Sequence, residues 1–185
     1  AARRALAGLG PELVLPQLRA QTVQELLAQP GGAGCELCGT LQTLTGALTQ
    51  CVRRRPGWLY VIFPSGITCP VPARPALVQA AVLEALRPVL ACGGQGVLEV
   101  KPRSHAVLLC LRGGAPAGVL PLWQALARQS GGAVVFDSGA QFAAAAFLPL
   151  CPGCRIQKSP STQELLEDRF SLPYLFLSGY CAGPW

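Results

Sequence analysis

Trp58-Leu59-Tyr60-Val61-Ile62-Phe63 is a continuous apolar run rich in aromatic and β-branched residues, closed by Pro56-Gly57 before it and Pro64-Ser65-Gly66 after it. Side chains of this kind suit both faces of a pleated strand, and the flanking breakers hold the run to strand length. Outward from it, Pro75–Cys92 carries Val78, Val82, Leu86 and Val89 at helical spacing. Val97–Lys101 alternates apolar and polar residues as a half-exposed strand does, Pro102-Arg103-Ser104 reads as a turn, and Ala106–Leu111 is a second wholly apolar strand. Val119–Gln129 places Val119, Leu120, Trp123 and Leu126 on one side of a helix. Ala133–Phe136 reads as a strand, and Gln141–Leu150 as a further candidate strand.

The order strand, helix, strand, strand, helix, strand over residues 58–136 predicts an α+β fold with a split βαβ, ferredoxin-like core. In that arrangement the first and third strands are central and the second lies at an edge. The first and third are the wholly apolar ones here, while the second carries Glu99 and Lys101, charges of the kind that protect an edge. Helices cover only one face of such a sheet, so apolar residues on both faces imply a second cover. The N-terminal helices or a partner protein are the candidates, with Trp58, Tyr60 and Ile62, or Tyr174, Phe176 and Trp185 of the tail, as partner-binding residues.

Residues 1–55 read as an N-terminal helical segment, 56–150 as an α/β sandwich core and 151–185 as a C-terminal extension packing on that core. In the first segment Leu15, Leu18, Leu26 and Leu27 form a loose stripe; Pro16 suits a first helical turn, and the helix stops at Gln29. Leu37, Leu41, Leu44, Leu48 and Val52 mark a second helix, ending in Arg53-Arg54-Arg55, cations that complement the negative end of a helix dipole. In the extension, Ser161 and Glu164 have capping-box spacing, and Leu172–Leu177 reads as a strand.

The chain of 185 residues is 51% hydrophobic but only 13% charged, which leaves part of its surface apolar or covered. That balance points to a domain of a larger assembly. Methionine and asparagine are absent and arginine far outnumbers lysine. Such depletion follows from GC-rich coding and weakens any inference from the arginines alone. No apolar run approaches the ~20 residues of a membrane-spanning helix. Nine cysteines, an odd number with several inside apolar runs, argue against a fully paired disulfide framework and for an intracellular setting, nuclear or cytoplasmic.

Two of the cysteine motifs have metal-ligand spacing: Cys35-Glu36-Leu37-Cys38 and Cys151-Pro152-Gly153-Cys154. Two thiolates on each of two tight turns complete a tetrahedral four-sulfur zinc site, if the turns meet. One structural zinc held by Cys35, Cys38, Cys151 and Cys154 is therefore an expectation, and it would staple the start of the chain to its end. Packing cysteines are the plainer alternative. A redox dithiol at Cys151 and Cys154 lacks the following helix that would lower a thiol pKa.

Phe136-Asp137-Ser138-Gly139-Ala140 looks like the Asp-Ser/Thr-Gly turn of aspartic proteases and also resembles the Asp-x-Gly phosphate turn of actin-like ATPases. No second such motif or further phosphate loop accompanies it, and a turn between strands accounts for it. His105 is the only histidine, so any triad would depend on it alone. Gly93-Gly94-Gln95-Gly96 and Gly113-Gly114 lack the continuation of a phosphate-binding loop. The net charge of +6 admits nucleic-acid binding, with Arg53, Arg54, Arg55 and Arg103 as phosphate contacts. These observations predict a non-enzymatic protein–protein interaction domain of an intracellular complex, without a small-molecule substrate. A basic nucleic-acid-binding subunit is the alternative, and a hydrolase centred on Asp137 a minor one.

Overall fold

The computed structural model describes residues 11–29, 31–113, 120–139 and 142–182. Helix α1 spans Pro11–Ala28, with Pro16 inside it rather than in its first turn. Strand β1 (Cys35–Glu36) leads directly into α2 (Leu37–Cys51). Then come β2 (Leu59–Ile62), β3 (Pro70–Val71), α3 (Pro75–Ala91), β4 (Gly96–Pro102) and β5 (Ala106–Arg112). The chain continues through α4 (Pro121–Ser130), β6 (Ala133–Ser138), β7 (Phe142–Pro149), α5 (Thr162–Glu167) and α6 (Leu172–Leu177).

The α+β class and the order of elements through residues 58–136 hold. The lateral order of the five-stranded sheet is β2-β4-β5-β7-β6, so the first apolar strand lies at an edge and the charged one inside. The reason is β7, which pairs antiparallel with both β5 and β6 and takes the place beside β5. With that position filled, β2 pairs only with β4, in parallel, after the crossover through α3. Glu99 on β4 is satisfied by Lys101 at 2.9 Å and Arg112 at 3.0 Å. A smaller sheet joins β1 to β3 antiparallel.

One face of the large sheet carries the core. Leu98 and Val100 of β4, Val107, Leu109 and Leu111 of β5, and Ala144, Ala146 and Leu148 of β7 are buried there with residues of α2, α3, α4 and α6. Trp123 of α4 is fully buried and its indole N–H donates to the Ala81 carbonyl of α3 at 2.7 Å, tying the two helices across the core. Helix α1 lies against α3, α4 and α6, on the helical side, so it does not cover the second sheet face. Gly113, where the chain leaves β5, has φ +122°, and a Cβ there would sit 2.1 Å from the Gln95 carbonyl oxygen. Only glycine fits that exit.

Residues 172–177 form helix α6 and not a strand. Ser171 is extended at the N-cap and Pro173 sits in the first turn, where a missing N–H costs nothing. The burial of Pro173 through Leu177 explains their continuous apolar run. The capping box does form: the Ser161 hydroxyl accepts from the Glu164 N–H at 3.2 Å, and Glu164 accepts from the Ser161 N–H at 2.7 Å.

Candidate functional site

The two Cys-x-x-Cys motifs lie side by side. Gly34 forms a parallel bridge with Ile156, its N–H donating to Arg155 at 2.9 Å, and the Cys151 N–H donates to Pro70 of β3 at 2.8 Å. A Cβ on Gly34 would lie 2.3 Å from the Cys154 sulfur, so the turns are packed to contact. The carboxylate of Glu36 organises the spot, accepting from the backbone N–H groups of Cys38, Gly39 and Cys69. Among the sulfurs, Cys38 neighbours Cys69, Cys154 neighbours Cys151, and Cys35 feels Cys154 across the two motifs. Among the described residues no group of three or more Cys, His, Asp or Glu has the arrangement of a metal site. Burial pushes the Cys35 and Cys38 thiols up to about 12. The sequence pairing of Cys35, Cys38, Cys151 and Cys154 thus foretells the neighbourhood, and Cys69 is the member that spacing did not reveal.

The two alternative sets of partner residues differ in exposure. Tyr60 and Ile62 are about half exposed on the edge strand and Trp58 is partly buried against the core, whereas Tyr174 and Phe176 are buried. Trp185 lies outside the described residues. The basic residues are separated. Arg53, Arg54 and Arg55 precede β2, near the start of β4, while Arg103 follows the end of β4, seven strand residues away. At about 3.3 Å per residue this is some 20 Å, too far for one phosphate cradle. Arg54 donates to the Leu90 carbonyl, so the expected cation at a helix C-terminus exists, at α3 instead of α2. Asp137 accepts from the Gly139 N–H at 3.0 Å, an exposed turn bond after β6.

A site the sequence did not reveal lies where α4 begins. The N-cap Leu120 has no side-chain cap, and the open N–H groups of this helix are met instead from α3. The Glu84 carboxylate accepts from the Leu122 N–H at 3.0 Å and is held also by that of Trp123. Burial raises its pKa to about 7, against the opposing pull of these donors and of Arg87. Arg87, one turn on, and Arg19 of α1 approach closely enough to repel: Arg19 is lowered from its ordinary value by burial and then by Arg87. The first N–H groups of α4 are thus occupied by Glu84, with Arg87 beside that carboxylate and Arg19 beside Arg87. In sequence, Glu84 and Arg87 read only as polar positions on a helix. Elsewhere, a groove of about 850 Å³ runs between α1, the start of α3 and residues 158–175, with Glu25, Glu167 and Asp168 on its rim and Leu172 and Leu175 of α6 in its wall.

No protein-family model matches this chain, and no curated protein matches it either. Solved structures do. The histidine kinase AdeS of Acinetobacter baumannii has a TM-score of 0.50 at 9% identity, over 75% of this chain and 77% of that one. The histidine kinase domain of the E. coli osmosensor EnvZ gives 0.49 at 11% identity, covering 72% and 97%. The ATP-binding domain of PrrB from Mycobacterium tuberculosis gives 0.48 at 20% identity, covering 64% and 97%. At such identities the likeness is one of fold. It nevertheless corrects the functional expectations drawn from sequence. The likeness to the histidine kinase AdeS runs against the non-enzymatic interaction domain, the nucleic-acid-binding subunit and the Asp137 hydrolase expected from sequence, and against the expected lack of a small-molecule substrate. No described helix is long and apolar enough to cross a membrane.

Proposed function

We propose that this chain is the nucleotide-binding domain of a kinase of the histidine-kinase type, and that it takes a nucleoside triphosphate where α4 begins. The fold likeness to AdeS supports the class of enzyme. One observation supports the place: the Glu84 carboxylate on the N–H groups of α4, beside Arg87 and Arg19. Guanidinium groups bind phosphate oxygens in charge-assisted hydrogen bonds, so Arg87 and Arg19 are the side chains that would meet the phosphates, the first N–H groups of α4 being taken by Glu84. Phosphoryl transfer uses a divalent cation to neutralise charge on the transferring group. Magnesium commonly takes only one or two protein carboxylates beside phosphate and water oxygens, so Glu84 fits as the side chain that would hold it.

The reading also implies a protein partner. His105, the only histidine, is exposed before the start of β5, and α4 follows the opposite end of that strand. Some 20 Å of strand separate the two. The phosphoryl acceptor therefore comes from another segment or another protein.

Titration with a fluorescent ATP analogue in the presence of magnesium tests the proposal. Saturable binding with a dissociation constant below about 1 mM is expected, the range of ordinary substrate affinities. Arg87→Gln should weaken it about tenfold, the effect of losing one charge-assisted bond. Absence of saturation at several millimolar nucleotide, or equal binding by the Arg19→Gln/Arg87→Gln double variant, would overturn it.

A further inference from the structure

We propose that Cys51 and Cys181 are a modification site: a thiol pair that closes to an intramolecular disulfide on meeting a low-molecular-weight disulfide of the glutathione class. Cys51 is the last residue of α2, and its sulfur lies 3.4 Å from that of Cys181, 130 positions on. The backbone sets this proximity. Val52 and Cys181 form an antiparallel bridge, the Arg53 N–H donates to Tyr180 at 2.8 Å and the Ala182 N–H donates to Cys51 at 2.6 Å. The bridge partner of Cys181 is Val52, and Cys51 is the residue next to it, so the two sulfurs meet diagonally across the bridge. Bringing the sulfurs to about 2.05 Å needs an approach that side-chain rotation supplies.

The pair is asymmetric, which assigns the roles. The two sulfurs share a hydrogen bond in which either can be the donor; that shared bond favours the thiolate at Cys51, drawn below the ordinary thiol value, while Cys181 is raised. The thiolate is the attacking species in exchange. Cys51 attacks one sulfur of the oxidant, breaking its S–S bond, releasing one small thiolate and forming a mixed disulfide. Cys181 then loses its proton and attacks the Cys51 sulfur, releasing the second. In sum two protein thiols lose two protons and two electrons, and one small disulfide becomes two small thiols. Both side chains are buried, so access requires opening of the segment 178–182, where Gly179 and Ala182 are exposed.

The bond would fasten the end of α2 to the residues just after α6, whose Leu177 carbonyl accepts from the Cys181 N–H at 3.0 Å. It would so hold one wall of the groove lined by Leu172 and Leu175. The closed loop is about 130 residues, long enough that cross-linking should raise Tm by roughly 10 °C.

The test is to incubate the folded chain with oxidised glutathione, block remaining thiols with N-ethylmaleimide in denaturant, and map peptides by mass spectrometry. A linked Cys51–Cys181 peptide, two adducts fewer than the nine cysteines allow and no retained glutathione are expected. In Cys181→Ser the glutathione should remain on Cys51. A wild-type map without the Cys51–Cys181 link, whether all nine thiols survive or others pair, would overturn the proposal. Because that map uses the unaltered chain, the result does not depend on a variant folding, nor on whether nucleotide binds.

Discussion

Replacing Glu84 by glutamine should remove a specific dependence of stability on pH. The carboxyl titrates near 7 in the folded chain against an ordinary value of 4.5, chiefly because it is buried. Between those two values the native state holds a proton that the unfolded chain has lost. Unfolding then releases protons, so stability falls as pH rises from about 4.5 to 7 and is level above. A shift of this size corresponds to about 3 kcal/mol at 1.36 kcal/mol per pH unit, and partial solvent access reduces it to about 2 kcal/mol. Glutamine keeps the length of the side chain and an oxygen for the Leu122 N–H but does not ionise. Urea unfolding, followed by the fluorescence of buried Trp123, measures both chains at pH 5, 6, 7 and 8. The wild type minus variant difference should drop by about 2 kcal/mol across that series, with Glu84→Gln the more stable chain at pH 8. A flat difference would refute the argument, and so would a variant less stable at pH 8. In the latter case the charged bonds to α4 and the attraction of Arg87 outweigh burial.

Gly113→Ala should cost about 3 kcal/mol or more, because the new Cβ falls on the Gln95 carbonyl at a backbone angle that L-residues avoid; an unchanged urea midpoint would show that the exit of β5 can shift. Ser161→Ala removes one half of the capping box and should cost about 1 kcal/mol, read from the same denaturation curves. The hydroxyl of that serine also bonds Glu164 at 2.8 Å, so Ser161→Asp, which keeps an acceptor but sets two carboxylates together, should recover little of the loss.

Helix positions were legible where spacing and breakers agreed. The stripe from Leu37 to Val52 becomes α2, and the stripe from Val78 to Val89 becomes α3. Strand order was not legible, because it depends on which strand β5 accepts at its second edge. Nothing in Phe142–Pro149, an alanine-rich run, announces that it inserts between β5 and β6. Leu172–Leu177 was misread for a related reason: a helix buried on all sides has no polar stripe, and a short one is indistinguishable from a buried strand. The start of α4 escaped notice because it is assembled from three helices. Glu84, Arg87 and Arg19 are each unremarkable polar residues on their own elements, and their meeting is a product of tertiary packing.

The expectation of a covering partner rested on the surface chemistry of the second sheet face. It took wholly apolar strands to mean an apolar second face. The register shows what that face contains: Tyr60 and Ile62 at one edge, then Val97, Glu99 and Lys101, then Leu108, Cys110 and Arg112, then Ala143, Ala145 and Phe147, and at the other edge Ala133, Val135 and Asp137. Its middle is occupied by the Glu99 carboxylate between Lys101 and Arg112, whose long side chains also shield the apolar atoms beneath them. The alanines of β7 expose little area each, and hydrophobic cost scales with area rather than with the number of apolar residues. A strand such as β5 can therefore be apolar along its whole length and still meet water on one face, provided that its neighbours supply charge and small side chains there. The buried core lies on the other side, under α1, α2, α3, α4 and α6, while Tyr60, Ile62, Val135 and Phe147 remain exposed at the margins of the second face. The helical side is also the one on which Glu84, Arg87 and Arg19 converge.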